Sequence, residues 1–540
     1  MSKKNSNRFM KKGIIAVLSI ILAASGCALN QEERTDIGIG FEASGLYAPW
    51  DSNTNGTRFT CHATNDRFFF NFEADDSTVV FADTLNTERD IDPYDRVEVF
   101  FSPNREMESY YCAEIDPKGR IMDYKAHFYR NLDFGWDFST METFSAVIPG
   151  GYRVEGSISL AELRQLGMDL EKGFMFGVFQ GDCGQDGLIS WYSLIPTDDA
   201  EPDFHKPDVM FPVRMTPKAE KRGVVIYPSD VKVLGIHEWE RRFKQSGINL
   251  VGLHAATMNE PLDELEAFVK SKEGQDFLKL CKRYGVDVEY EIHALQLLMP
   301  RDQFDVHPEY FRQGQDGRRI QMYNMCFTSK EAIEAMRPQI KAMMEWLHPT
   351  THRYFIWTDD KIGAFCTCDE CREYSPSEQA LIYENRLLAL LREYDPEATL
   401  AHLAYNQTLE APVKVAANEG IFLEFAPINR NYSEPLSESV LESMKHNMLA
   451  FPTYSIHILE YWLDESMFSH WKKKELVPLP FNKNECARDV SMYRKFGATS
   501  ITSFATWLND NYIERYGPTD DIFTGYRDAF DFAYSAGNMP

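Results

Sequence analysis

Residues 354–360 read Tyr354-Phe355-Ile356-Trp357-Thr358-Asp359-Asp360, a short apolar run that stops on two carboxylates. A run without polar alternation reads as a strand buried on both faces, which is how parallel strands sit in a sheet covered by helices. Comparable runs flank it: 223–227, 249–254, 286–293, 400–405, 421–425, 454–460 and 500–505. Together with 354–357 they make eight. Helix-like segments lie between them, at 238–246, 275–284, 330–347, 378–393, 437–446 and 486–496. Eight strands alternating with helices over about 300 residues predict a (β/α)8 barrel of the TIM type across residues 223–540. An open doubly wound sheet is the alternative, but no Gly-rich phosphate loop follows any of the strands.

Upstream of the charged seam at 218–222 the pattern changes. Short aromatic runs such as Arg67-Phe68-Phe69-Phe70-Asn71-Phe72 and Phe174-Met175-Phe176-Gly177-Val178-Phe179 are separated by turn signals such as Asp116-Pro117-Lys118-Gly119. Only 160–166 looks helical. Residues 41–217 are therefore expected to form a β-sandwich. The chain is thus multidomain, a sandwich followed by a barrel.

The order of pieces in the sandwich carries a resemblance. It runs from Ala48-Pro49-Trp50 through Tyr94-Asp95-Arg96-Val97-Glu98-Val99-Phe100 and Tyr152-Arg153-Val154-Glu155-Gly156-Ser157-Ile158 to Ser190-Trp191-Tyr192 and Asp203-Phe204-His205-Lys206-Pro207. This resembles the family 9 carbohydrate-binding modules. It implies a glycan ligand, with Trp50, Trp136 and Trp191 as candidates to stack on sugar rings. Each of those Trp residues has an equal claim to being a core residue.

The N-terminus sets the compartment. Lys3, Lys4, Arg8, Lys11 and Lys12 precede an apolar run from Ile14 to Ala24 that ends in Ala24-Ser25-Gly26-Cys27. That run is too short for a comfortable membrane span and reads as a signal peptide over 1–26. The small residues before Cys27 resemble a bacterial lipobox, which implies lipidation of Cys27. Residues 27–40, with Glu32 and Glu33, read as a solvated tether and resemble Bacteroidetes-type export signals. The expected location is that of a bacterial lipoprotein, on the outer membrane at the cell surface or periplasmic face, held to the membrane through lipid alone.

Charge agrees with this. The 540 residues carry 82 acids against 56 bases, a formal −26, which becomes −31 without residues 1–26. Such a chain repels nucleic acid and anionic membranes. Its 37 Phe, 26 Tyr and nine Trp exceed what a core requires.

Barrel enzymes react substrate at the C-terminal ends of the strands. Those ends offer His254, Glu291 with His293, Asp359 with Asp360, Tyr405, Glu424, Glu460, and Thr506 with Trp507. Carboxylates with His, Tyr and Trp, and no recognisable Ser or Cys nucleophile, suit glycoside hydrolysis, which needs an acid for the leaving oxygen and a second group at the anomeric carbon. Adjacent carboxylates in a confined pocket are expected to push their pKa values apart. A solvated Asp-Asp turn capping the next helix is the other reading of Asp359-Asp360.

Further residues add a second resemblance. They are His307-Pro308-Glu309-Tyr310-Phe311, Met325-Cys326-Phe327, Asp360 followed by Cys366-Thr367-Cys368-Asp369-Glu370-Cys371, and Leu403-Ala404-Tyr405. Over 223–516 the chain resembles the family known as domain of unknown function 4838, which includes glycoside hydrolase family 163. The resemblance implies a retaining endo-β-N-acetylglucosaminidase acting on glycans. The Asp359-Asp360 pair is also similar to the Asp pair of family 84 β-N-acetylglucosaminidases. By that likeness the substrate's acetamido oxygen attacks the anomeric carbon, Asp359 orients the acetamido group and Asp360 is acid, then base. Relatives in the unknown-function family often carry Asn where Asp359 stands, which makes Asp360 the better supported of the two. Glu460 is the reserve catalytic carboxylate, and His293, Tyr405, Glu424 and Trp507 are expected to hold or stack on the sugar. No cofactor is required for this chemistry.

Two rivals share the sequence. An α-glucuronidase-like or other glycosidase would use the same barrel, but an acidic sugar calls for an Arg or Lys cluster that the strand ends lack. The other rival is a non-catalytic glycan-binding lipoprotein. Finally, Cys366, Cys368 and Cys371, with Cys326 able to approach them, suit either structural zinc or a disulfide.

Overall fold

The computed structural model describes residues 35–37, 41–48, 54–196, 201–215, 220–256, 261–451 and 455–536. The signal segment, Cys27 and Trp50 lie outside the described residues.

The N-terminal part is a sandwich of two sheets. Its strands are β1 (Thr35–Asp36), β2 (Phe41–Ser44), β3 (Arg58–Ala63), β4 (Arg67–Asp75), β5 (Arg96–Ser102), β6 (Tyr110–Ile115), β7 (Ile121–His127), β8 (Asn131–Asp133), β9 (Glu142–Ile148), β10 (Gly151–Ser159), β11 (Phe174–Cys183), β12 (Ile189–Ser193) and β13 (Phe211–Arg214). One sheet runs β1-β13-β11-β5-β6-β7-β8, with β12 paired to β11, and the other runs β2-β3-β4-β10-β9. The expected tether is shorter than 27–40, because Thr35–Asp36 pairs with Val213–Arg214 and Ile37 is fully buried in the sandwich core. An apolar Ile is better placed there than in water.

Most of the sandwich aromatics are core. Phe59, Phe68, Phe70, Phe72, Phe101 and Phe176 pack between the sheets, several edge to face, as between Phe68 and Phe176 at 5.5 Å. Phe70 lies over Gly156 on the neighbouring strand, where any Cβ would meet the ring at 2.0 Å. Trp136 packs on Tyr111 and Phe138, and Trp191 lies edge-on to Phe204 with the Arg96 guanidinium 4.8 Å from its ring centre. Both Trp residues are half-buried, which favours their structural role.

Arg96 is the polar anchor of this domain. It is almost fully buried and donates to Glu114 at 2.6 Å, to Glu98 at 3.1 Å and to the Asp92 carbonyl at 2.6 Å. Burial pushes the Glu98 carboxyl up to about 8, aided by Glu114 and opposed by Arg96.

The second part is a closed parallel barrel of eight strands: β14 (Lys221–Ile226), β15 (Leu250–His254), β16 (Asp287–His293), β17 (Arg353–Trp357), β18 (Thr399–Ala404), β19 (Ile421–Phe425), β20 (His457–Glu460) and β21 (Ser500–Phe504). The ring closes where Lys221 of β14 registers with Ser500 of β21. Outer helices include Pro228–Ser246, Lys272–Tyr284, Pro376–Leu391, Glu438–Met448 and Lys483–Lys495. Among the described residues the β18–β19 link has only a 3-10 turn, Asn406–Thr408, and no helix is long and apolar enough to cross a membrane.

Inside the barrel, side chains alternate as strand geometry requires. At the lower end Arg353 grips Glu289 with two hydrogen bonds, 2.7 and 2.9 Å, and reaches Ser500 at 3.0 Å. Above it, Glu291 fits against Gly252, where a Cβ would come 2.3 Å from the carboxyl oxygen. The sandwich meets the barrel at its N-terminal end: Lys495 pairs with Glu142 at 2.9 Å, and Phe69 lies against Gly497 just before β21. The C-terminal ends of the strands are thereby left open.

Replacing Arg96 by Met strands two buried carboxylates and is expected to cost about 3–5 kcal/mol. Urea unfolding followed through the sandwich Trp residues measures it; a loss under about 1 kcal/mol would show that the anchor contributes little.

Candidate active site at the barrel mouth

The floor of the mouth is built from inward-facing residues at or just past the strand ends. His254 and His293 face each other edge to face at 6.0 Å, and His293 lies 4.8 Å from the Trp357 ring. Phe504 packs 5.3 Å from His254 and stacks on Tyr461 at 5.3 Å. Each of the two histidines pairs its Nδ1 with a backbone carbonyl, His254 with Glu291 and His293 with Thr358, both at 2.6 Å. That geometry puts the hydrogen on Nδ1 and leaves Nε2 as an acceptor. Burial keeps both rings neutral: it pulls His254 down to about 3, with His293 adding to the effect, and lowers His293 despite the Asp360 charge.

Two carboxylates stand on this floor. Asp360 is exposed and acts on both His293 and the Tyr405 phenol, whose acidity is suppressed first by burial and then by Asp360. Asp464 stands in the turn after β20. Its Oδ1 accepts from Ser466 and Thr506, both at 2.6 Å, and its charge is felt by Tyr227, Tyr405 and Tyr461. Burial raises the pKa of Asp464, while Ser466 and Thr506 oppose the shift. The strand-end inventory missed Asp464 and Tyr227. Tyr227 directly follows β14 and was legible as a strand-end residue; Asp464, four residues beyond β20, had no such signal.

Asp359 differs from its neighbour. Its Oδ1 accepts from the Gln296 backbone at 3.0 Å, and its own N–H donates to the Asn324 side chain at 2.8 Å. Burial pushes its carboxyl up to about 6 against the opposing Arg301 charge and Gln296 N–H; Asp360 plays no part in the shift. The cause of the raised Asp359 carboxyl is thus burial and not the adjacent Asp360 that the sequence suggests.

Other expected site residues are placed elsewhere. Glu460 points out of the barrel: Leu459 and Tyr461 belong to the interior cluster and His457 packs 5.2 Å from the interior Phe355 ring, so strand alternation turns Glu460 toward the helix Lys483–Lys495. There it accepts from Tyr493 and pairs with Arg430 at 3.2 Å, fully buried, so it does not serve as a reserve catalytic carboxylate. Glu424 faces inward but lies beneath the floor, fully buried, where Oε2 accepts from the Trp357 indole at 2.7 Å and so positions Trp357. Burial holds Glu424 and the nearby Glu291 well above the usual carboxylate range. Trp507 has a left-handed backbone (φ 61°) and a buried ring with the Lys473 ammonium 5.5 Å from its centre, so it forms wall and not platform.

Among the described residues three groups of side chains converge closely enough to hold a cation, one of them Glu88, Asp123 and Asp137 at the sandwich surface. Cys326, Cys366, Cys368 and Cys371 converge beside the loop that carries Asp359, all buried, and Asp76, Asp95 and Asp182 converge in the sandwich.

The family described as "Domain of unknown function (DUF4838)" matches residues 263–503. No curated protein matches the sequence. Among solved structures, the chain is similar to a carbohydrate-binding module of family 9 from Caldicellulosiruptor kristjanssonii in complex with cellotriose, at 12% identity over 32% of this chain and 83% of that one, with a TM-score of 0.23. It is similar to a pneumococcal exo-β-D-N-acetylglucosaminidase module of family GH20 at 10% identity over 59% and 88%, TM-score 0.33. It is also similar to a β-galactosidase from Marinomonas ef1 at 13% identity over 53% and 54%, TM-score 0.34, so it spans about half of that chain.

The raised Asp359 carboxyl gives a signed pH prediction. The folded chain binds its proton between about 6 and the unfolded value of about 3.8, so this residue's contribution to stability grows as pH falls through that window and is lost as pH rises through about 6. Asp359→Asn, which mimics the protonated form, should be the more stable variant at pH 7 by up to about 3 kcal/mol, with the gap closing by about pH 4. Parallel unfolding curves for both proteins at pH 7 and 4 measure this; a pH-independent gap would refute it.

Proposed function

We propose that the protein is a glycoside hydrolase that cleaves β-linked N-acetylhexosaminides in glycans with retention, with Asp360 as general acid and then base. The observation that carries this reading is the setting of Asp360: an exposed carboxylate at the C-terminal end of a barrel, between a neutral His293 and Tyr405, over a floor of Trp357, Tyr461 and Phe504. A pyranose has one apolar face for such a floor and hydroxyls for the Nε2 acceptors of His254 and His293.

In the first step the substrate's acetamido carbonyl oxygen attacks the anomeric carbon, the glycosidic C–O bond breaks, and the leaving oxygen takes its proton from Asp360. In the second, water attacks the same carbon while Asp360 takes its proton, and the acetamido group is released with the original configuration. Orientation of the acetamido group is assigned to Asp464, whose charge reaches Tyr405 as that of Asp360 does, while Asp359 has one carboxyl oxygen on the Gln296 backbone. Asp359 is a positioning residue that stiffens the turn holding Asp360. A second reading is supported by the same placement of Asp464: as an enzyme nucleophile it would give retention without the acetamido group.

The family resemblance supports glycans as the ligand class, and the net charge of −26 favours neutral ones. Residues 1–27 support export and anchoring through a lipid on Cys27. Radiolabelled fatty acid incorporated by the wild type and not by Cys27→Ser would bear this out.

On a chitobiose-containing glycan, Asp360→Asn should lose on the order of 10²–10⁴-fold in kcat/KM while Glu460→Gln, outside the mouth, keeps kcat near wild type. Equal turnover by wild type and Asp360→Asn would remove Asp360 from the mechanism. Inhibition by a thiazoline, which mimics the cyclised acetamido intermediate, favours substrate assistance; an active enzyme indifferent to it points to Asp464 as nucleophile.

A further inference from the structure

The four cysteines at the barrel mouth are not used by the proposed chemistry, and their geometry is specific. The Cys326 sulfur lies 3.7 Å from the Cys368 sulfur and 3.7 Å from the Cys371 sulfur, and all four sulfurs lie within 4.8 Å of one another. Zinc bound by thiolates at about 2.3 Å in a tetrahedron requires sulfur-to-sulfur edges of roughly 3.8 Å. A pair of disulfides would instead give each sulfur one partner at about 2.05 Å. Here Cys326 is equidistant from two others, so no pair is singled out.

The surroundings of the sulfurs match the same reading. The Gln313 backbone N–H donates to the Cys366 sulfur at 3.3 Å, and the Arg319 guanidinium reaches it at 3.9 Å. The Thr328 hydroxyl lies 3.3 Å from the Cys371 sulfur and 3.6 Å from that of Cys326. Donors around the sulfurs stabilise thiolates and fix their orientation. The backbone is organised as well: Gln379, itself buried, accepts from the Cys366 N–H at 3.1 Å and donates to the carbonyls of Cys366 and Cys371 at 3.1 and 3.0 Å. One side chain thus holds both ends of the Cys-x-Cys-x-x-Cys turn.

We infer that Cys326, Cys366, Cys368 and Cys371 form a closed structural zinc site that staples the loop after β16 to the loop after β17. Four protein ligands leave no open position, so the ion serves folding and not reaction. Among metals that accept four thiolates, zinc has no redox change and no d-electron geometry of its own, which suits a staple. Its position links it to the mouth. Asn324, which receives the Asp359 N–H, is two residues from Cys326, and Gln313 accepts from Thr367, between Cys366 and Cys368, through both its N–H at 3.0 Å and its hydroxyl at 2.9 Å. Loss of the ion therefore frees the segment that aims Asp359 and Asp360.

The test is metal content and thiol state of the full chain purified without chelator, neither of which depends on catalytic activity. Elemental analysis should find one zinc per chain, with the four cluster thiols alkylated only after denaturation in chelator. Cys368→Ser should lose most of the zinc, while Cys281→Ser, at a lone buried cysteine in a barrel helix, keeps it. Because Cys368→Ser could misfold, cobalt exchange into the wild type is the second measurement: visible bands of tetrahedral cobalt with sulfur-to-metal charge transfer are expected. A metal-free chain whose four cysteines resist alkylation until reduced would establish disulfides and overturn the site. Stoichiometric iron would overturn its assignment to zinc. A zinc-loaded chain that fails to hydrolyse any glycan would refute the proposed function and leave the zinc site standing.

Discussion

The mouth of this protein exists because β21 pairs with β14. Their register, Lys221 opposite Ser500 and Val225 opposite Phe504, joins segments nearly three hundred residues apart and makes the strand ends a ring. Parallel pairing gives every strand the same direction, so all eight C-terminal ends emerge on one face. Tyr227, after the first barrel strand, and Thr506, after the last, thereby come to share Asp464. Without closure, Asp360 and Asp464 would have no common neighbour in Tyr405. The Arg353–Glu289–Ser500 contacts tie β16, β17 and β21 together inside the opposite end.

The interior is unusually polar for a barrel core, and the physical solution is layered. Glu289 is paired with Arg353; Glu291 and Glu424, above it, are buried without a cation in direct contact, and burial raises both carboxyls well above the usual carboxylate range. Glu424 accepts from the Trp357 indole, which fixes the ring against which His293 packs. Buried acids thus set the pose of the aromatic floor while the exposed Asp360 remains available. The division between deep, buried acids and a solvated one follows from depth along the strands. The sandwich solves a similar problem with Arg96, which binds two buried carboxylates on the outer face of its larger sheet, while aromatic rings fill the space between the sheets.

Much of the mouth was legible in strand periodicity. His293, Tyr405 and Asp360 were found by asking what stands at the end of each apolar run, and their placement follows from that rule. The same rule misjudged Glu460 and Glu424. Parity inside a strand decides which way a side chain points, and Glu460 is one residue out of phase with the inward set of His457, Leu459 and Tyr461. Glu424 has the right parity but sits a layer too deep. Asp359 and Asp360, as neighbours in sequence, are expected to push their pKa values apart; in the structure burial is what raises Asp359, whose Oδ1 and N–H are held by Gln296 and Asn324.

By itself, then, the sequence determined the architecture. Eight apolar runs alternating with helices call for a parallel sheet covered on both faces, and dense aromatic alternation upstream calls for two facing sheets. Local pattern suffices there because burial of apolar area is additive along the chain. Tertiary structure alone decided which carboxylates meet at the mouth, that Asp464 is one of them, and that Cys326 reaches the Cys366–Cys371 turn from a separate loop. Those outcomes depend on loop paths between distant segments, and no periodicity in a single segment encodes the direction of a side chain once its strand has ended.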